Sequence, residues 1–249
     1  MIDLTVALPM YQSANIAWLA LESLCRQEQV DFDWELIVAE EQGAQEFGAK
    51  NIESYRRRLE AVGCCKITYL PLNRWVPLSQ KWALIGKKAS ESSQMFVCQA
   101  DDNYAPPSRL AVVHHHLDYD YICYPKCYFY FIKTNEVYLH TIKRYAPGRV
   151  AKGLQYSFQT KYARLIPPAD RSKIVDQWLY DIVKQRCGKW FKHVWITDDS
   201  WKAGFNTHGF HRLSDTRYEK FKGKLTPYTG GWPTDTMLRL QNLQNRAKL

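Results

Sequence analysis

Four short apolar segments, each separated from the next by a stretch with helical periodicity, restrict the fold more than any other feature of the chain. The apolar segments are residues 4–8, 34–39, 66–70 and 94–100. The helical segments between them are residues 15–27, 44–62 and 78–89. A strand–helix alternation of this kind implies right-handed parallel crossovers. The sequence therefore predicts an α/β fold with a mostly parallel central sheet and helices on both faces.

Acidic residues come directly after two of these predicted strands. Glu40 and Glu41 follow the second strand, and Asp101 and Asp102 follow the fourth. Because ligands of doubly wound sheets bind beyond the carboxyl ends of the strands, we expect these acids to share one edge. Adjacent carboxylates suit Mn²⁺ or Mg²⁺, which take one or two carboxylates together with substrate phosphates. The alternative is an acidic turn before a helix capped by Ser108.

The second half of the chain is less regular. Its pattern predicts a helix over 108–117, a strand over 119–124, a hairpin of 127–133 with 136–143, a helix over 170–187 before Gly188, a strand over 191–196 and a last helix from Thr234. A second acidic pair, Asp198 and Asp199, follows the last of these strands. One carboxylate of such a pair can cap a helix, and the other can accept a proton from an acceptor hydroxyl.

Composition separates the two halves of the chain by charge. Residues 143–224 hold 18 Lys and Arg against 7 Asp and Glu, a balance of +11, and the rest holds 16 against 18, or −2. This asymmetry indicates a polyanionic partner for the second half, with a solvated basic face or a site for the donor diphosphate as the alternatives.

Membrane and export signals are not evident in the sequence. No apolar run approaches the roughly 20 residues of a transmembrane helix, and the first residues lack the basic region of a signal peptide. The 7 cysteines show no disulfide framework, which favours a reducing compartment. We therefore expect a cytoplasmic protein without a membrane span.

The order of these motifs resembles glycosyltransferase family 2. The resemblance covers about residues 1–205 and is carried by five segments in order: VALPMYQSAN after the start, VAEEQG after the second strand, PLNRWVPLSQKWALIGKKA around the third helix, QADDNYAPP after the fourth strand, and the late pair Asp198–Asp199. It implies a GT-A fold, with a donor lobe over residues 1–110 and an acceptor-binding and catalytic lobe over residues 111–249 of one domain.

The resemblance also implies roles for individual residues. The residues assigned to the nucleoside-diphosphate sugar are Pro9, Tyr11, Glu40, Lys81, Gln99, Asp101 and Asp102. Among them, Glu40 matches the position that reads the base, Lys81 lies near a position that faces the donor, and Asp101 matches the acid turned towards the metal and diphosphate. Asp199 matches the catalytic base of an inverting transfer, with Asp198 beside it.

Gln99 departs from the family pattern, and two groups of histidines need separate assignment. Gln99 stands where the family has its first Asp, and its amide can still hydrogen-bond a ribose. A later histidine often supports the metal in GT-A enzymes, and His208 and His211 are the candidates here, although both lie nearer to Asp199 than expected. The run His114–His115–His116 is assigned a structural role, because three consecutive helical residues point in different directions.

The acceptor remains open between two hypotheses. Bacteriophages encode family-2-like enzymes that glycosylate hydroxymethylated pyrimidines in their DNA, and the basic, aromatic-rich second half suits such an acceptor. A cell-surface polysaccharide or glycolipid precursor is the other hypothesis. A rival of another class is a nucleic-acid-binding module without catalysis, which leaves the acids at the strand ends unexplained. A GT-A nucleotidyltransferase would carry a Gly-rich basic loop after the first strand, which PMYQSAN lacks.

Overall fold

The structure, a computed structural model, describes residues 1–124, 126–131, 136–141, 156–169, 175–196, 205–206 and 226–227. The strands are β1 Ile2–Met10, β2 Asp33–Glu41, β3 Cys64–Leu72, β4 Met95–Cys98, β5 Tyr121–Cys123, β6 Lys126–Phe131, β7 Glu136–Thr141, β8 Tyr156–Gln159, β9 His193–Trp195, β10 Phe205–Asn206 and β11 Thr226–Pro227. The helices are α1 Trp18–Leu24, α2 Ala49–Glu53, α3 Arg56–Glu60, α4 Leu78–Lys88, α5 Arg109–His115, α6 Thr160–Ala163 and α7 Val175–Cys187, followed by a 3₁₀ turn, Gly188–Trp190.

A seven-stranded sheet in the order β3-β2-β1-β4-β8-β5-β9 forms the centre of the molecule. Strands β3, β2, β1 and β4 pair in parallel, and β5 pairs in parallel with β9. Strand β8 is antiparallel to both β4 and β5. The predicted mostly parallel sheet is confirmed, and β8 is an insertion that the alternation pattern did not predict.

Two apolar cores, one on each face of this sheet, confirm that helices cover both sides. Alternate residues of β1 divide between them, because successive side chains of a strand point to opposite faces. Leu4, Val6 and Leu8 pack in the core that contains α1, while Ala7 packs in the core that contains parts of α4 and α7. All four of these β1 side chains are fully buried. Within the described residues, no helix has the length and the apolar run that a bilayer span requires.

The helix predicted over residues 44–62 is wrong as one continuous element. It is replaced by a loop and the two short helices α2 and α3. Gly48, with φ of 84°, precedes α2 in a conformation that favours glycine. The loop before it is tied to the sheet, because the Glu40 carboxylate accepts hydrogen bonds from Phe47 N and Gly48 N. A tertiary contact therefore overrides the local helical pattern.

The other predicted elements agree in type and differ at their ends. The predicted hairpin is confirmed, since β6 and β7 pair antiparallel within a second sheet of order β10-β6-β7-β11. The helix predicted over 170–187 is described from Val175, and Gly188 follows it with φ of 58°. The helix predicted from Thr234 lies outside the described residues.

Gly86 allows α4 and α6 to approach closely. A Cβ atom at this position would lie 2.3 Å from the carbonyl oxygen of Ala163. We expect Gly86→Ala to lower the free energy of unfolding by about 1–3 kcal/mol, because overpacking outweighs the gain in helix propensity. Urea denaturation measures this change. Lys87→Ala, an exposed change on the same helix, should stay within about 0.5 kcal/mol, and equal effects for the two variants would refute the close-approach explanation.

Candidate functional site

The carboxyl ends of β1, β2 and β4 lie together at one edge of the sheet, because these three strands are parallel neighbours. The loops that follow them bring together three of the sequence-predicted segments. These are the segment after Met10, the acids at the end of β2, and the loop that begins at Gln99. The predicted convergence of the acids at one edge thus follows from the strand order.

Asp101 joins the loop after β4 to the loop after β1. Its Oδ2 atom accepts a hydrogen bond from Tyr11 N at 3.1 Å and a second one from Ser13 Oγ. Within the described residues, no hydrogen bond to Asp101 Oδ1 is found. The Asp101 residue is 8% exposed, and its neighbour Asp102 is 6% exposed. The Asp101 carboxylate is therefore held rigidly by one oxygen and can offer the other to a ligand.

Lys81 projects from α4 into the same edge. Its Nζ atom donates to Glu41 Oε2 and to the carbonyl oxygen of Met10, both at 2.5 Å. The Lys81 and Glu41 side chains are 4% and 9% exposed. Burial lowers the pKa of Lys81 below its usual value, and the negative charge of Glu41 opposes this shift. Lys81 thus connects α4 to the ends of β1 and β2, and its ammonium group also lies 5.4 Å from the Tyr11 ring centroid.

Glu40, the residue assigned to the base, is fully buried in this structure. Besides the two backbone N–H groups of the loop at Phe47 and Gly48, its carboxylate accepts a hydrogen bond from Tyr69 Oη at 3.1 Å. Burial raises the pKa of the Glu40 carboxyl, while these hydrogen bonds lower it. Glu40 therefore shapes the loop that borders the site, in addition to any contact with a nucleotide.

Gln99 is also fully buried, and its amide is occupied by its own loop. Gln99 Nε2 donates to the carbonyl oxygens of Ala100 at 2.9 Å and Asn103 at 2.7 Å, and Gln99 Oε1 accepts from the guanidinium of Arg109. Arg109 also donates to the Cys98 carbonyl oxygen. Burial lowers the pKa of Arg109 to about 10. A neutral amide at position 99 thus stands beside a buried guanidinium.

Sequence reasoning missed three residues that build this edge. Ser13 bonds the Asp101 carboxylate, Arg109 bonds Gln99, and Tyr69 bonds Glu40. Ser13 lies in the quoted segment VALPMYQSAN, and Arg109 lies eight residues after Asp101. Their closeness to the quoted motifs could have identified Ser13 and Arg109 as site residues. Tyr69, on the edge strand β3, lies in no such motif.

Pro9 lies inside a strand, and four other predicted residues are not described. Pro9 lies within β1, paired with Ala39 of β2 and beyond the last residue that pairs with β4. A residue without an N–H group is tolerated where a ladder ends. Asp198, Asp199, His208 and His211 lie outside the described residues, and their roles remain predictions.

The histidine run on α5 lies away from these carboxylates. The His114 ring stacks on Phe32 with a centroid distance of 3.9 Å. His116 Nδ1 lies 2.7 Å from the Val112 carbonyl oxygen, and its ring makes an edge contact with His115. The rings of His114 and His116 thus contact different neighbours.

The donor set at the acidic edge fits a hard divalent cation. Asp101 and Asp102 supply carboxylate oxygens, which Mg²⁺ and Mn²⁺ prefer. Among the described residues, no group of three or more His, Cys, Asp or Glu side chains is arranged to hold a metal ion. Mg²⁺ and Mn²⁺ usually take one or two protein carboxylates together with substrate phosphates.

Comparisons with known proteins show which solved structures have a similar fold. No protein-family model and no curated protein matches the chain. The structure resembles Staphylococcus aureus TarS 1–349 in complex with UDP-GlcNAc, with a TM-score of 0.63, 13% sequence identity and coverage of 86% of this chain and 60% of that one. It also resembles TarS 1–349 in complex with UDP, with a TM-score of 0.61, 13% identity, and coverage of 83% and 60%.

These likenesses show the GT-A fold. At 13% identity they show the fold alone. The chain spans about 60% of the length of the TarS 1–349 structures.

Proposed function

We propose that this chain, on its GT-A fold, is a glycosyltransferase that uses a nucleoside-diphosphate sugar. The observation that carries the proposal is the Asp101 carboxylate, which the loop after β1 holds at the carboxyl edge of the parallel strands. Ligands of open α/β sheets bind at this edge. Because TarS structures hold UDP and UDP-GlcNAc, UDP-GlcNAc is the first donor to test.

The residues at the acidic edge each have a defined role in this proposal. Asp101 and Asp102 would hold Mn²⁺ or Mg²⁺ together with the donor diphosphate, and the cation would supply charge neutralisation for the leaving group. Tyr11 and Ser13 would orient the Asp101 carboxylate through their hydrogen bonds. The Lys81–Glu41 pair would stabilise the same edge by joining α4 to the ends of β1 and β2. The half-exposed ring of Tyr11, with 40% exposure, is available to a donor group.

The chemical step in this proposal is a single displacement. The acceptor oxygen attacks the anomeric carbon, the bond from that carbon to the diphosphate oxygen breaks, and the diphosphate leaves with the electron pair. The acceptor proton passes to a carboxylate within hydrogen-bond reach, which we assign to Asp199 with Asp198 beside it. Attack from the side opposite the diphosphate inverts the anomeric configuration.

The acceptor is proposed by chemical class. Either a hydroxymethylated base in DNA or a polysaccharide or glycolipid precursor supplies the hydroxyl group. Mass spectrometry of nucleosides digested from hydroxymethylated DNA after incubation with donor distinguishes the two. Transfer to that DNA supports the first, and transfer only to a glycan or lipid acceptor supports the second.

Donor binding gives the direct test of the site. We expect UDP-GlcNAc with Mn²⁺, at about a hundredfold excess over its Kd, to raise the melting temperature by about 5–10 °C, because it binds only the folded state. Asp101→Ala should abolish this shift. Thermal denaturation followed by circular dichroism measures both values.

Two control variants separate the carboxylate from the loop that it anchors. Ser13→Ala removes one hydrogen bond to Asp101 and leaves its charge, so the donor-dependent shift should shrink without vanishing. Asp118→Ala, an exposed residue of the loop after α5, should leave the shift unchanged. A full metal-dependent shift in Asp101→Ala would remove Asp101 from the donor site.

A further inference from the structure

Four cations crowd into the segment that joins the end of α7 to β9. Lys184, Arg186, Lys189 and Lys192 occur within residues 184–193, and this segment has no Asp or Glu. We call residues 184–193 the basic corner. It includes the 3₁₀ turn Gly188–Trp190, which turns the chain from the helix into the edge strand of the seven-stranded sheet.

The side chains of the basic corner are open to solvent. All four cationic side chains are exposed. Trp190 is 76% exposed, more than any other aromatic residue in the described part of the chain. The Lys189 ammonium lies 5.1 Å from the centroid of the Trp190 ring. An exposed indole beside a cation forms a surface that combines positive charge with a flat apolar face.

Two carboxylates near the basic corner accept hydrogen bonds from other groups. Asp120 is 8% exposed, and its two oxygens accept hydrogen bonds from Tyr162 Oη at 3.0 Å and Lys192 N at 2.9 Å. Asp181, one turn before Lys184, accepts a hydrogen bond from Gln177 at 3.0 Å. Within the described ranges, none of the four cations forms a salt bridge. Their charge is therefore available to a partner.

Helix electrostatics account for only part of this arrangement. Cations near the last turn of a helix interact favourably with its carbonyl end, which explains Lys184 and Arg186. Lys189, Trp190 and Lys192 lie beyond the last residue of α7. The carbonyl end of α7 therefore does not account for the exposed indole and the two lysines beside it.

The basic corner lies at the amino ends of the parallel strands, whereas Asp101 lies at their carboxyl ends. It precedes β9, which runs parallel to β5, and β5 is oriented like β1 and β4. The amino ends of these strands therefore share the edge where the basic corner lies. A ligand bound there does not compete with the donor for the carboxylate edge.

We propose that the basic corner binds a single strand of nucleic acid, with its cations on the phosphates and Trp190 stacked on a base. Positively charged surfaces that carry exposed aromatic rings bind single strands in this way. The proposal goes beyond the donor chemistry, because binding at this edge requires neither donor nor transfer. The basic corner would hold the nucleic acid while the donor binds at the carboxyl ends of the strands.

Binding of a fluorescently labelled single-stranded oligonucleotide, measured by anisotropy without donor, tests the proposal. Trp190→Ala should weaken binding by about 5- to 150-fold, because one base loses its stacking platform. Lys189→Gln combined with Lys192→Gln should reduce the slope of log Kd against log salt by roughly 1.4, since two phosphate contacts are lost.

Matched controls come from α4, whose last turn also carries two exposed lysines. Lys87→Gln with Lys88→Gln removes the same charge, and Trp75→Ala removes a ring that is 55% exposed. Both control variants should bind like the unchanged protein. Equal losses in the controls, an unaffected Trp190→Ala, or equally tight binding of heparin would overturn the proposal. The donor-dependent melting shift, measured on the same variants, should persist and reports separately on the proposed transferase function.

Discussion

Replacing Lys81 by Met should lower the free energy of unfolding by about 3–5 kcal/mol, because it leaves the Glu41 carboxylate buried without its cationic partner. The two side chains are 4% and 9% exposed, and the Nζ–Oε2 distance is 2.5 Å. Lys81 also satisfies the Met10 carbonyl oxygen at the end of β1. Chemical denaturation of the variant gives the value directly.

Three further variants show whether the ion pair is the cause. Glu41→Gln should destabilise by a similar amount, because it leaves the Lys81 charge buried. Lys81→Met with Glu41→Leu should cost much less than the sum of the single changes, since a buried pair can be replaced by apolar groups without large loss. Lys88→Met, on the exposed face of α4, should stay within about 0.5 kcal/mol.

This experiment also separates two roles for Lys81. A lysine that serves only as a phosphate ligand would be dispensable for stability, and its loss would weaken donor binding alone. A Lys81→Met variant of unchanged stability that no longer binds UDP-GlcNAc would therefore contradict the structural role. Strong destabilisation in the variant supports the ion pair as the element that joins α4 to the ends of β1 and β2.

Asp199→Asn, a change at the proposed base, should lower the turnover of the proposed sugar transfer by about 10²–10⁴-fold, because the amide keeps the shape of the side chain and cannot accept the acceptor proton. Donor binding should be retained, so the melting shift with UDP-GlcNAc and Mn²⁺ should match that of the unchanged protein. Single-turnover kinetics with a saturating donor separate the chemical step from donor binding.

The neighbouring carboxylate supplies the control for Asp199. Asp198→Asn changes the same type of group one residue earlier and should retain most of the turnover. An inactive Asp198→Asn beside an active Asp199→Asn would reverse the two roles. Retention of the anomeric configuration in the product would contradict the single displacement, whichever residue is the base.

The sequence by itself determined the parallel part of the sheet and the edge at which the carboxylates of the candidate site meet. Buried parallel strands are continuous apolar runs, and β1, β2 and β3 each contain the segment predicted for them. Chain order then placed Glu40, Glu41 and Asp101 at carboxyl ends of strands, because parallel crossovers leave no other arrangement. Strand β8 was missed because it is short and enters the sheet antiparallel from a distant part of the chain.

Only the tertiary structure decided what these side chains contact. Lys81 reaches Glu41 across 40 residues of sequence, and Ser13 reaches Asp101 across 88. Glu40 binds the backbone at Phe47 and Gly48 and thereby holds a loop where the first part of a helix is predicted. Such contacts depend on distances between chain segments, which no local pattern encodes. Periodicity therefore predicted the edge of the sheet where the carboxylates meet, and packing decided which carboxylate is paired and which can receive a ligand.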